Sequence, residues 1–125
     1  MARVLVIDDE PDVVRLISKV LSGRGHVVHT VRDGANALVR VNTERPHVIL
    51  LDSDIPKIDG AEVCRQIKRN PATRGIPVVM MTASYIDLYD VGAEDGPDAF
   101  VVQPFARDVL GDAVDRAVLR RTAAP

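Results

Sequence analysis

VILLDSDIPKIDG, residues 48–60, decides the architecture. Val48, Ile49, Leu50 and Leu51 run without alternation into Asp52. A strand with one wet face alternates apolar and polar side chains. An unbroken apolar run therefore marks a strand covered on both faces, as in a parallel sheet held between helices. Gly60 follows the loop and precedes a helix carrying Val63, Cys64 and Ile67. The spacing puts Cys64 at a half-buried position of that helix.

The same unit recurs on either side. Upstream, Val4–Ile7 is an apolar strand ending at Asp8, Asp9 and Glu10. Pro11 suits the first turn of a helix, because the N–H it lacks would be orphaned there. Val13, Val14, Leu16, Ile17, Val20 and Leu21 continue at helical spacing, and Gly23 and Gly25 end the helix. Residues 27–30 form a short second strand, Asp33-Gly34 a turn, and Ala35, Ala37, Leu38, Val39 and Val41 a second helix stopping before Pro46. Downstream, Asn70-Pro71 and Gly75 break the third helix, and residues 78–81 are another apolar strand. Residues 84–98 are the least regular. Tyr85, Ile86, Leu88, Tyr89 and Val91 fit a short fourth helix, limited by Gly92, Gly96 and Pro97. Residues 99–102 make a fifth strand, and a last helix carries Val109, Leu110, Ala113, Val114, Ala117 and Val118 on one side. Five strands alternating with five helices predict an α/β fold, a doubly wound five-stranded parallel sheet with helices on both faces. Residues 1–121 are expected to form the domain and 122–125 a C-terminal tail.

Length and composition bound the function. The 125 residues match one domain, and 46% hydrophobic content supports a core without disulfides, Cys64 being the only cysteine. A net charge of −2 argues against a nucleic-acid binder, and Arg116, Arg120 and Arg121 suit the C-terminal end of a helix. No apolar run approaches the ~20 residues of a membrane span, and the start resembles no signal peptide. The expectation is a cytoplasmic protein.

Open α/β sheets place their sites beyond the carboxyl ends of the strands. Here those ends read Asp8-Asp9, Asp52, Thr82-Ala83 and Gln103-Pro104. Asp8-Asp9 could merely start a helix, and Asp52 could be an ordinary turn residue. Their conjunction is harder to dismiss. Two like charges ~4 Å apart repel by about 4 kcal/mol at an effective dielectric near 20, so a cation should offset the cost. Oxygen-only ligands favour Mg²⁺, or Mn²⁺, over Zn²⁺. His26, His29 and His47 lie near strand starts and are not read as metal ligands.

VLVIDDEPDVVRLI, VILLDSDIPKIDG, VVMMTA and DAFVVQPF, in this order and spacing, resemble the receiver domain of two-component response regulators over nearly the whole chain. The resemblance implies a flavodoxin-like receiver topology. It implies Asp52 as phosphoacceptor, Asp9 as a direct metal ligand and Asp8 acting mostly through metal-bound water. The backbone carbonyl of Asp54 would complete the protein ligands. Thr82 would bond a phosphoryl oxygen, Phe100 would be the aromatic switch, and the Gln103-Pro104 bond would be cis. The implied partners are a histidine kinase or phosphotransfer protein, and a downstream protein reading the face made by the fourth helix, fifth strand and last helix. The chain would be a phosphoacceptor in a phosphorelay rather than a turnover enzyme.

The sequence departs from the family at Gln103, which stands where the family carries lysine. A neutral amide replaces a mobile cation. Metal binding should gain, and charge balance after phosphorylation should suffer. Slow or weak phosphorylation, or a phosphorylated state poorly coupled to the switch, is expected. Asp54 adds a carboxylate near the acceptor, either orienting water or facing solvent. Two readings follow: a stand-alone phosphorylatable receiver, for which no linker to an output domain is visible, or a pseudo-receiver that binds partners without phosphorylation. A third, an aspartyl-phosphate hydrolase of the haloacid dehalogenase type, rests on Asp52-Ser53-Asp54 and lacks room for a cap.

Overall fold

A computed structural model describes residues 2–83 and 95–123 of the chain. The elements are β1 (Arg3–Ile7), α1 (Pro11–Gly23), β2 (Val27–Val31), α2 (Gly34–Glu44), β3 (Val48–Asp52), α3 (Gly60–Arg69), β4 (Val78–Thr82), β5 (Ala99–Val102) and α4 (Arg107–Ala123). The expected fourth helix, with Tyr85, Ile86, Leu88, Tyr89 and Val91, lies outside the described residues.

The five strands form one parallel sheet in the order β2-β1-β3-β4-β5. Side chains alternate across it. Leu5, Ile7, Ile49, Leu51, Val78 and Met80 enter one core cluster with Ala37 and Val41 of α2 and Val63 and Ile67 of α3. Val4, Val6, Val48, Leu50, Val79 and Met81 enter the other with Ile17 and Leu21 of α1 and Leu110 and Val114 of α4. Both faces of β3 and β4 are thus buried, which is why these strands carry no polar residue before their last position. The fold is the doubly wound α/β arrangement that the apolar runs predict.

Local chemistry sets the helix ends. Pro11 opens α1, and Gly25 (φ 86°) lets the chain reverse after it. The Asp33 and Asp59 side chains accept the N–H groups of Asn36 (2.8 Å) and Glu62 (2.9 Å), capping α2 and α3. Asp33-Gly34 is therefore a helix start rather than a turn. Three further expectations are corrected. β2 extends to Val31, whose side chain is buried. Cys64 is fully buried, because its side of α3 packs on the sheet. Val109 is 51% exposed, one position off the face that Leu110, Ala113, Val114 and Ala117 bury. No helix among the described residues is long and apolar enough to cross a membrane.

Candidate functional site

Strand order reverses between β1 and β3, and the crevice beyond their carboxyl ends is where ligands bind in such sheets. Ile7 is level with Leu51, so the next residues, Asp8 and Asp52, arrive side by side. Asp52 is level with Met81, which brings Thr82 to the same rim. The Ser53 N–H donates to the Met81 carbonyl (2.9 Å) and the Gln103 N–H to the Thr82 carbonyl (2.7 Å), carrying the strand-end order into the loops. The Gln103-Pro104 bond is cis.

Asp8, Asp9 and Asp52 each offer a carboxylate oxygen, and the three oxygens lie within 4.8 Å of one another. Asp8 (1% exposed) and Asp52 (5% exposed) are buried, and Asp9 is exposed. Each buried carboxylate holds one backbone bond. The Glu10 N–H donates to Asp8 Oδ1 (2.9 Å) and the Asp54 N–H to Asp52 Oδ1 (3.0 Å). Asp8 Oδ2 is buried without a hydrogen-bond partner among the described residues.

The electrostatics follow from burial. Desolvation pushes Asp8 up from its ordinary 3.8 to about 6; the Glu10 N–H opposes this, and the Asp52 charge adds to it. Burial also raises Asp52, against the Asp54 N–H and with the charges of Asp54 and Asp9. An unpaired buried carboxylate oxygen is costly, and three oxygen donors with no imidazole or thiol among them suit a hard divalent cation. The residues present fit such an ion.

The structure brings together Asp8, Asp9 and Asp52, which the strand ends single out. Thr82 is buried on the rim, Phe100 is half-buried against the core cluster beneath α2 and α3, and Gln103 is half-buried after β5. The Asp54 side chain is exposed. Sequence reasoning missed two supports. Gly60 packs so closely that a Cβ there would lie 2.5 Å from the Asp52 carbonyl oxygen and 2.7 Å from Ser53 Cα. Lys57 turns the β3–α3 loop in the left-handed region (φ 72°). The glycine of the quoted stretch was the available signal for the first, but close approach depends on the path of the loop. His26, His29 and His47 bond Asp115, Glu44 and the Arg3 N–H, away from the carboxylate cluster.

Comparison with known proteins gives a consistent set. The chain matches the response regulator receiver domain family over residues 4–115. It is 40% identical over 121 residues to the DNA-binding response regulator MtrA of Mycolicibacterium smegmatis, covering 95% of this chain and 51% of that protein. It is 39% identical over 126 residues to the alkaline phosphatase synthesis transcriptional regulatory protein PhoP of Bacillus subtilis, covering 98% and 51%. The chain thus spans about half the length of these curated relatives. The signal receiver domain of a signal transduction histidine kinase from Syntrophus aciditrophicus superposes with a TM-score of 0.89 at 28% identity, over 100% of this chain and 96% of that one. The chemotaxis response regulator CheY4 of Vibrio cholerae gives 0.84 at 27%, over 94% and 98%.

Proposed function

From the premise that this chain belongs to the response regulator receiver domain family, we propose that Asp52 accepts a phosphoryl group from a phosphohistidine on a histidine kinase or phosphotransfer protein. The observation that carries this reading is the carboxylate triad with a buried, unpartnered oxygen on Asp8. The same triad favours a phosphorylatable receiver over a binding-only pseudo-receiver. The chain is a phosphoacceptor module rather than a turnover enzyme.

Asp9, Asp52 and the backbone carbonyl of Asp54, with Asp8 beside them, would hold the divalent cation. Mg²⁺ is the ion proposed, and Mn²⁺ would substitute. Bound there, it supplies positive charge for the phosphoryl oxygens. A carboxylate oxygen of Asp52 attacks phosphorus, the P–N bond to the donor imidazole breaks, and the imidazole leaves with the bonding electrons. The Asp54 N–H, already bonded to Asp52 Oδ1, orients the carboxylate for this attack. Thr82 then bonds a phosphoryl oxygen, Gln103 offers its amide N–H groups, and Phe100 repacks as β4 and its loop adjust, a population shift between two packings. β5 and α4, with the expected fourth helix, are the surface proposed for a protein partner. Residues 1–121 are taken as the receiver unit, in the cytoplasm, with 122–125 as its tail.

The test is incubation with Mg²⁺ and acetyl phosphate, followed by intact mass. One phosphoryl group is expected on the natural chain and none on Asp52→Asn. An unchanged mass for the natural chain at saturating donor would refute the proposal.

A further inference from the structure

The charges around the site are one-sided. Asp8, Asp9, Glu10, Asp52 and Asp54 sit on two adjoining loops, and Asp8 and Asp52 are buried. Among the described residues, none of these five carboxylates forms an ion pair. The cation on the β3–α3 loop, Lys57, is turned toward Asp33 (Nζ to Oδ2 3.8 Å). Position 103, where the rim could have carried a charge of its own, holds a neutral amide.

The sheet fixes how far position 103 is from the acidic cluster. Its N–H is bonded to Thr82 of β4, and β4 separates β5 from β3. Two strand spacings of ~4.8 Å put its backbone roughly 10 Å from that of Asp52, so a long side chain there covers much of the gap. A charge at that distance, in a partly buried crevice, is felt by a bound cation, being near or inside the Debye length of ~8–10 Å at ordinary ionic strength.

We infer that Gln103 is an affinity-setting residue for the divalent cation: by leaving the acidic rim without a cation of its own, it makes the unphosphorylated chain hold the metal tightly, so that cation occupancy is itself a regulated state of the protein. The inference rests on the metal reading proposed above. The buried Asp8 oxygen without a partner is the second observation pointing to an ion, and it belongs to the resting chain, before any phosphoryl group arrives. The consequence is a resting protein that responds to the concentration of free divalent cation.

Calorimetric titration of Mg²⁺ into the natural chain, Gln103→Met, Gln103→Lys and Gln103→Arg tests it, with circular dichroism confirming that each is folded. Methionine keeps the site neutral without the amide, and the two basic residues add one charge by different geometries. The natural chain and Gln103→Met are expected to bind alike, and the basic variants about tenfold more weakly. If the basic variants bind within twofold of the natural chain, the inference falls and the metal site stands. If Gln103→Met weakens as much as Gln103→Lys, the amide rather than the missing charge is responsible, and the inference again falls. If no variant and not the natural chain binds Mg²⁺, the metal reading itself is overturned.

Discussion

Asp8 is buried as a carboxylate with one oxygen bonded and the other without a partner among the described residues. Burial raises its pKa from 3.8 to about 6, so in the absence of metal the folded chain takes up a proton there more readily than the unfolded chain does. Its contribution to stability is fully present below the unfolded value and is lost as pH rises through the folded one. The shift corresponds to about 3 kcal/mol lost from this residue between pH 3.8 and about 6. Asp33, Glu44, Glu62 and Asp115 are held below their ordinary values by hydrogen bonds and arginine, lysine or histidine neighbours, and they give the opposite slope at lower pH. Urea unfolding in chelator at pH 4.5 and pH 7 isolates the effect. Asp8→Asn should be more stable than the natural chain at pH 7 and should lose most of the difference at pH 4.5. Identical differences at the two pH values would show that Asp8 is not the group responsible.

At the scale of the element, the loop between β3 and α3 couples the acceptor strand to a helix start. Asp59 caps α3, and Gly60 lies against the backbone of Asp52 and Ser53. Both atoms crowded by an added Cβ belong to the main chain and cannot swing aside. Gly60→Ala should therefore displace the loop and destabilise the fold by about 1–3 kcal/mol, the usual range for overpacking. Asp59→Ala, which removes only the cap, should cost about 1 kcal/mol. Mg²⁺ titration separates the two: Gly60→Ala should weaken binding, since Asp52 moves with the loop, and Asp59→Ala should leave it near the natural value. Equal stability of Gly60→Ala and the natural chain in urea would mean that the loop accommodates the methyl group. At the far end of the molecule, Arg24 after α1 bonds Asp112 (2.9 Å) and Asp115 (2.8 Å) of α4, joining the two helices that cover one face of the sheet.

For the whole molecule, the sheet brings the metal-holding loops together from distant parts of the chain. Asp8 and Asp9 follow β1, whereas Asp52 ends β3. A cation that binds only the folded chain stabilises it by mass action, about 2.7 kcal/mol at a concentration one hundred times the dissociation constant. Thermal unfolding with saturating Mg²⁺ should therefore shift upward by several degrees, and Asp9→Asn should abolish most of the shift. A midpoint independent of Mg²⁺ would contradict preferential binding to the native state. The hydrophobic framework that supports the site is two-sided, with Ile17 and Leu21 below one face and Val63 and Ile67 below the other.

Much of this was legible in the residues themselves. The unbroken apolar runs at residues 48–51 and 78–81 determine a sheet covered on both faces, because only a doubly buried strand can dispense with polar positions. The acidic and hydroxyl residues that close those runs single out the rim. Three features could be decided only by tertiary structure, because each depends on which backbone lies opposite. Asp33-Gly34 becomes a helix cap where Asp33 meets the Asn36 N–H. Gly60 becomes indispensable where the loop returns against Asp52. The burial of Asp8, and the orphaned oxygen that follows from it, arises only once β1, β2 and β3 lie side by side, since solvent exclusion is a property of neighbours and is not written in local sequence.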